Sequence, residues 1–403
     1  MSAFVLTVAF LSGSLWALRW SGDLSTATPD TFWYARDAFR YAGYSEANAD
    51  LAAAKITCGA MSHARDRRKD FDSCLLKRSD LPARAPVRFQ RIFTSRPGYA
   101  LAMAPLVRVM GGAGFLVGSA LLGMACGAAV VVLALAIGLR PTQAWLAQVA
   151  FYLLPTGLWV SRMLAEAPMV LCVLVATIGT VLLLRGHRTI LATSLLITGQ
   201  ICLCVVKPAN AVALAAALLV FAAVRAPFTH ARRDYLRVAA SAGVVLAGNL
   251  LLSGMLGLPG LNETLQDTFT DHFRRPDVTD PWHRLAVAMG RLCGEHITLQ
   301  MLDNPLVPAA YVAGAAGLFW RARSEIATLL FAVGLTGAVV ALMHPLASET
   351  ARLAVVTWIP VAFGLAVLMS GSHGIGIQRQ RRSPSEPPAN AGEDPSASTA
   401  SLS

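Results

Sequence analysis

The sequence predicts an all-α polytopic membrane protein with about ten transmembrane helices and a large helical first extracytoplasmic loop. Of its 403 residues, 55% are apolar and only 14% are charged, whereas soluble domains carry about 25% charged residues. The apolar residues also form long uncharged runs of the length that crosses a bilayer, about 20 residues. This composition excludes a soluble globular enzyme, a disordered chain and a nucleic-acid-binding protein. A P-loop nucleotide-binding motif is excluded as well, because no lysine in the chain follows a glycine.

The uncharged runs predict the individual transmembrane helices. In chain order they lie near 3–18, 114–137, 143–160, 167–184, 189–206, 208–224, 238–258, 305–320, 326–344 and 353–370. The first run lacks the basic residues and the cleavage site of a secretion signal, so we interpret it as an anchor helix. A further apolar stretch, 99–110, is too short to span and predicts an interfacial or re-entrant helix that leads into the second span.

The distribution of basic residues predicts the orientation. With a cytoplasmic N-terminus, the short outer loops hold only Arg162, Lys207 and Arg352. The inner loops and the tail then hold Arg140, Arg185, Arg188, Arg225, Arg232, Arg233, Arg237, Arg321, Arg323, Arg379, Arg381 and Arg382. Because basic residues favour the cytoplasmic side, we predict a multi-pass protein of the cell membrane. Its long loops 19–98 and 259–304 are extracytoplasmic, and its tail 371–403 is a disordered cytoplasmic extension.

The first outer loop contains two cysteines, Cys58 and Cys74, on the oxidising side of the membrane. A disulfide between them would close a loop of about seventeen residues and contribute about 3 kcal/mol to stability. We therefore predict that these two cysteines pair. For the rest of the loop, the simplest interpretation is a solvated amphipathic cap whose basic side chains meet anionic lipid headgroups.

Asp30 lies near the start of this loop, in Pro29-Asp30-Thr31, and allows two interpretations. Aspartate is favoured at the N-cap of a helix, and the residues that follow can form one. An acidic residue close to the outer membrane surface is also suited to act as a general base on a lipid-bound substrate.

Three groups of charged residues break the pattern of the apolar spans, and all three fall on the predicted outer side. They are Arg162 with Glu166, Lys207, and His344 with Glu349 and Arg352. One interpretation is structural, with an i,i+4 pair between Arg162 and Glu166 and with Lys207 reaching the headgroups. The functional interpretation is a site in which the cations bind a phosphate group and the carboxylates transfer protons.

Four short motifs in this order resemble the GT-C superfamily of membrane glycosyltransferases. The motifs are Asp30-x-x-x-Tyr34-x-x-x-Ala38, Arg96-Pro97-Gly98-Tyr99 continuing to Pro105, Arg162-x-x-x-Glu166, and Lys207-Pro208. The resemblance covers residues 1–370, more by layout than by a strict signature. It implies an enzyme that moves a sugar from a polyprenyl-phosphate donor to an extracytoplasmic acceptor of the cell envelope.

The resemblance also implies roles for individual residues. Asp30 would be the general base, with Asp37 as the second candidate because Thr31 stands where many members carry a second acid. The residues implied in substrate binding are Tyr34, Arg96, Arg162, Glu166, Lys207 and Arg352. The implied partners are the polyprenyl-phosphate-linked sugar, membrane lipids and the envelope acceptor, with no nucleic acid. No organic cofactor and no metal ligands are predicted, and the use of a divalent metal stays open.

Two other functional classes remain as alternatives. A transporter or lipid flippase would carry charge near the bilayer midplane, often within internal repeats, and the sequence contains no repeat at a fixed period. A non-catalytic protein of envelope assembly would retain the layout without the chemistry. In the second long loop, the acidic and histidine residues fit no standard metal-ligand spacing, so we predict that this loop is solvated. These residues are Asp267, Asp271, His272, Asp277, Asp280 and His283.

Overall fold

The computed structural model describes residues 2–20, 26–62, 68–186, 189–321 and 324–369, and within these ranges the regular structure is entirely helical. The helices are α1 (Ser2–Trp20), α2 (Thr31–Tyr41), α3 (Glu46–Ser62), α4 (Arg68–Ser79), α5 (Leu81–Arg84), α6 (Val87–Thr94), α7 (Gly98–Met110), α8 (Gly112–Ala136), α9 (Pro141–Leu153), α10 (Pro155–Val160), α11 (Glu166–Leu184), α12 (Thr189–Val206), α13 (Pro208–Arg225), α14 (Arg232–Met255), α15 (Leu261–Phe269), α16 (Pro281–Arg291), α17 (Thr298–Asp303), α18 (Leu306–Arg321), α19 (Ser324–Met343), α20 (Ala347–Leu353) and α21 (Trp358–Met369). The predicted tail 371–403 lies outside the described residues.

Within the described ranges, seven helical segments are long and apolar enough to cross a membrane. They are Gly112–Ala136, Glu166–Leu184, Thr189–Val206, Pro208–Phe228, Arg232–Met255, Glu325–Met343 and Ala347–Met369. The predicted class, an all-helical multi-pass membrane protein, agrees with this architecture. The orientation of these segments across the membrane stays a prediction from the charge distribution.

The other three predicted spans are not among these seven segments. The runs 3–18 and 305–320 form the shorter apolar helices Phe4–Arg19 and Leu306–Trp320. The run 143–160 is divided into α9 and α10 at Leu154, whose backbone is extended at φ −74° and ψ 171°. The cause is Pro155, which disfavours a helical conformation in the preceding residue and lacks an N–H group. The stretch 99–110 forms the short helix α7, as predicted.

The bundle is packed most closely where helix backbones meet at glycine. A Cβ atom at Gly179 on α11 would lie 2.4 Å from the backbone nitrogen of Leu196 on α12. From α12 back to α11, a Cβ atom at Gly199 would lie 2.6 Å from the backbone nitrogen of Ala176. The α11–α12 pair is thus held at a separation that only glycine permits, and it forms a firm frame for the residues at its ends.

The first long loop is a folded helical layer. Its helix α2 is buried from Thr31 to Phe39, and its rings pack on α6 and α7, with the ring centres of Trp33 and Phe93 5.7 Å apart. A disulfide joins Cys58 on α3 to Cys74 on α4, with the Cα atoms 5.8 Å apart. The loop therefore has its own aromatic core rather than lying as a solvated cap.

Candidate functional site

Several breaks in the helices meet at one end of the bundle. Residues 26–30 precede α2, and residues 161–165 separate α10 from α11. Two hydrogen bonds join these stretches: the Thr31 hydroxyl donates to the Met163 carbonyl oxygen, and the Met163 N–H donates to the Thr26 carbonyl oxygen, each at 3.0 Å. Between α12 and α13, Lys207 has the non-helical angles φ −149° and ψ 88°, as expected before Pro208. Polar side chains from distant parts of the chain are brought together here.

Arg352, on α20, lies at the centre of these side chains. Its guanidinium donates a hydrogen bond to the Asp30 carboxylate and forms an ion pair with Glu349 on its own helix. Its Nε atom also lies 3.6 Å from Oε1 of Glu166. We call Asp30, Glu166, Lys207, Glu349 and Arg352 the charge cluster.

Glu166 and Lys207 form the most deeply buried ion pair of the charge cluster. The Lys207 Nζ atom donates to Glu166 Oε1 at 2.6 Å, and the two side chains are 9% and 1% exposed, respectively. Lys207 thus turns into the protein and does not reach the headgroups. The i,i+4 pair between Arg162 and Glu166 is not formed, because Arg162 precedes the first residue of α11.

Arg162 lies beside the charge cluster and is not committed to a carboxylate. Its guanidinium carbon lies 4.3 Å from the ring centre of Trp159, in a cation–π contact. Its buried Nε–H has no hydrogen-bond acceptor among the described residues. Glu166 and Arg352 are close enough to act on its charge. Arg162 is therefore available to an anion that enters this end of the bundle.

The motif that begins at Arg96 places a further cation close to the charge cluster. A Cβ atom at Gly98 would lie 2.8 Å from Val206 Cγ2, so the start of α7 rests directly on the last residue of α12. Lys207 is the next residue in the chain. The charge of Arg96 accordingly acts on both Asp30 and Lys207.

Asp30 does not use its side chain as a helix cap. The residue has helical angles, φ −70° and ψ −26°, and its carboxylate makes no hydrogen bond to the first turn of α2. Burial favours the neutral acid, but Arg352, with smaller effects from Lys207 and Arg96, outweighs burial and holds the pKa of Asp30 below its ordinary value. Asp30 is therefore a carboxylate at neutral pH, and it is 26% exposed.

The other two predicted residues of α2 have different surroundings. Tyr34 lies one turn beyond Asp30 and is buried, with its ring centre 5.4 Å from that of Tyr99. Asp37 lies a further turn along, where burial, opposed by Arg36 and Arg40, raises its pKa to about 6. The charges that act on Asp37 belong to its own loop and not to the charge cluster.

Two residues that contact the site were not among the predicted binding residues. Glu349 lies three residues before Arg352, a spacing that places both on one helix face and could have indicated the pair. Arg78 donates to the Pro29 carbonyl oxygen at 3.2 Å, next to Asp30. It lies one turn after Cys74, so the disulfide holds the helix that carries it.

The carboxylates of the site do not have the arrangement of a metal centre. Among the described residues, no three His, Cys, Asp or Glu side chains are placed to hold one ion. Asp30 and Glu349 are instead engaged by Arg352, and Glu166 by Lys207. Each of these carboxylates thus has a cationic partner, and Oε2 of Glu166 is buried without a hydrogen-bond partner among the described residues. The arrangement can hold an ionised carboxylate beside cations that accept an anionic group.

Comparison of the chain with protein-family models, with characterised proteins and with solved structures finds no match. The part of the chain that the structure describes is all-helical, with seven candidate membrane spans. A functional assignment therefore depends on the side chains of the site.

Proposed function

We propose that this protein is a membrane glycosyltransferase that moves a sugar from a polyprenyl-phosphate donor to an extracytoplasmic acceptor of the cell envelope. The observation that supports the proposal is the convergence of Asp30, Glu166, Lys207 and Arg352, from four separate stretches of the chain, at one end of the bundle. Charged side chains at membrane depth are costly, and they are retained mainly where they serve a substrate or ion pathway.

The chemistry of such a transfer suits these residues. Asp30 takes the proton from the acceptor hydroxyl while the acceptor oxygen bonds to the anomeric carbon of the sugar. The bond between that carbon and the phosphate oxygen breaks, and the phosphate leaves with the electron pair. Lys207 and Arg162 stabilise the negative charge that develops on the phosphate. Glu166 keeps Lys207 in place through its 2.6 Å ion pair.

The membrane setting also suits a lipid-linked donor. Under the predicted orientation, this end of the bundle is extracytoplasmic, where the envelope acceptor lies. The polyprenyl tail would pack along the apolar spans among membrane lipids. No step of this mechanism passes through a metal ion.

The proposal is tested with the purified protein in lipid vesicles that contain a labelled polyprenyl-phosphate sugar and an envelope glycan acceptor. We expect the label to move from the lipid to the acceptor. A flippase would move the labelled lipid across the bilayer without transfer, and a non-catalytic assembly protein would do neither. Either of these results, obtained with all available donor sugars, contradicts the proposal.

Lys207→Ala is expected to weaken binding of the donor. A hydrogen bond from a charged donor contributes about 1.5–3 kcal/mol, so we expect a loss of about 10- to 100-fold in affinity. Binding is measured by calorimetry in detergent with a short-chain prenyl-phosphate sugar. Lys77→Ala, in an exposed residue of α4, is the matched control and should bind as the original chain does. Unaltered affinity in Lys207→Ala would contradict the phosphate-binding role.

A further inference from the structure

One helix of the second long loop packs close to the site. In its helix α15, Asp267 is buried, and its Oδ1 atom lies 3.1 Å from Nδ1 of His272. Thr268, the next residue, is 2.8 Å from the ring of His344, and His344 lies just before the helix that carries Arg352. The expectation of a solvated loop is thus wrong for Asp267, which is buried, whereas Asp271, His272, Asp277, Asp280 and His283 are exposed as expected.

The contact between Asp267 and His272 fixes the chemistry of the imidazole. A carboxylate only accepts hydrogen bonds, so Nδ1 of His272 carries the proton and donates it to Asp267. The lone pair of the neutral ring is then on Nε2. The His272 side chain is 47% exposed, which leaves this nitrogen within reach of solvent. A histidine oriented by a buried carboxylate has the arrangement of a general base.

The backbone around His272 is held in an unusual conformation. Asp271, His272 and Phe273 have φ values of 53°, 59° and 60°, in the left-handed region that side chains other than glycine rarely adopt. Two contacts with α6 hold this turn: the rings of His272 and Phe89 are 4.8 Å apart, and Arg88 lies 4.4 Å from the centre of the Phe273 ring. Such strain is found most often at functional sites.

The same contacts connect His272, through the Phe89 ring, to the helix that begins directly after Asp30. The Phe89 ring packs edge-on against Trp33, with centres 5.8 Å apart, and Trp33 lies three residues after Asp30 on the first turn of α2.

The charged and titratable groups that face His272 come from several elements. They are Asp267 and Asp271 of its own loop, Asp30 of the first loop and His344 before α20. Arg88 on α6 is engaged by Glu263 and Asp277, each at 2.8 Å. The hydrogen bond to Asp267, opposed by burial, raises the pKa of His272 above its ordinary value.

From this geometry we infer that His272, oriented by Asp267, accepts the proton that Asp30 holds after transfer. This role rests on the proposed glycosyltransferase function. The acceptor hydroxyl gives its proton to Asp30 as the new glycosidic bond forms. The proton then passes, through water, to Nε2 of His272 and from there to solvent. Asp30 returns to the carboxylate form for the next cycle, and no other reactant is needed.

The test compares transfer rates of the original chain, His272→Ala, Asp267→Asn and His283→Ala in lipid vesicles across the pH range 5 to 9. His283 is the matched control, since it is an exposed histidine of the same loop. We expect His272→Ala to lower the rate by about 100-fold, the lower end of the usual range for proton transfer, and added imidazole to restore part of it. His283→Ala should leave the rate unchanged.

Asp267→Asn gives a second measurement that a purely structural role would not affect. The active form of His272 is the neutral ring, so the rate rises with pH through its pKa. Removing the Asp267 carboxylate lowers that pKa, and the acid limb of the pH profile should move to lower pH.

A His272→Ala rate equal to that of the original chain, or a loss that imidazole does not restore, overturns the inference. So does an Asp267→Asn profile that keeps its acid limb in place. If Asp30→Asn stops transfer and His272→Ala does not slow it, the glycosyltransferase proposal stands without the His272 step. When the original chain transfers no sugar, both fail.

Discussion

Replacing Asp30 by asparagine is expected to abolish sugar transfer while the amount of protein in the membrane stays the same. The amide keeps the size of the side chain but cannot take a proton, and general base catalysis contributes about 10²- to 10⁴-fold. The residue is partly exposed and precedes α2 without capping it, so the helix does not depend on its charge. Transfer is measured in lipid vesicles, and membrane abundance by immunoblotting.

Two matched aspartates of the same loop serve as controls for this variant. Asp80 is exposed and pairs with Arg84 at 2.7 Å, and Asp80→Asn should transfer sugar at the original rate. Asp37, the second candidate base, is buried two turns from Asp30 and away from the charge cluster. Asp37→Asn should also retain transfer. Full activity in Asp30→Asn together with loss in Asp37→Asn would assign the base to Asp37.

Replacing Glu166 by glutamine is expected to cause a large loss of stability. Lys207 would remain buried without its 2.6 Å partner, and Arg352 would lose its 3.6 Å contact. Removing one member of a buried ion pair costs about 3–5 kcal/mol, because the other charge stays out of water. We expect a marked fall in the midpoint of thermal unfolding, measured in detergent by the fluorescence of the tryptophans.

A double variant separates this effect from a general loss of packing. Glu166→Gln combined with Lys207→Met removes both charges at similar volume, and such replacements are often neutral or stabilising. The double variant should therefore recover most of the stability lost by Glu166→Gln, although it should not bind donor. The exposed pair Asp80–Arg84 offers the contrast, since Asp80→Asn should change the stability by less than about 1 kcal/mol. A double variant no more stable than Glu166→Gln would disprove the buried-pair explanation.

The fold class could be predicted from the sequence because it depends on composition and on the length of apolar runs. The helices α11 and α12 begin and end within a residue of the predicted spans 167–184 and 189–206. The predicted span 143–160 fails at a single position, Leu154, where the following proline interrupts a run whose hydropathy stays high. Hydropathy averaged over a window does not register such a break.

The charged residues of the site could be predicted from the sequence, but which of them form ion pairs with one another could not. Charges that violate the membrane pattern stand out in the sequence, and Glu166, Lys207 and Arg352 were found in this way. Asp30 was found by its place just after the first span and by the motif that it begins. The pairing of Arg162 with Glu166 assumed one continuous helix, and residues 161–165 are not helical. Contacts across hundreds of residues, such as that of Arg352 with Asp30, depend on how the helices pack.

The surroundings of Arg352 have a consequence for the electroneutrality of the site during turnover. At rest, the charge cluster holds three carboxylates and two cations, and Arg96 and Arg162 beside it raise the number of cations at the site to four. When Asp30 takes up a proton, the positive charge of the site rises by one, at the step in which the departing phosphate gains one negative charge. The charge gained by the protein thus balances the charge gained by the leaving group, and no net charge accumulates at the site.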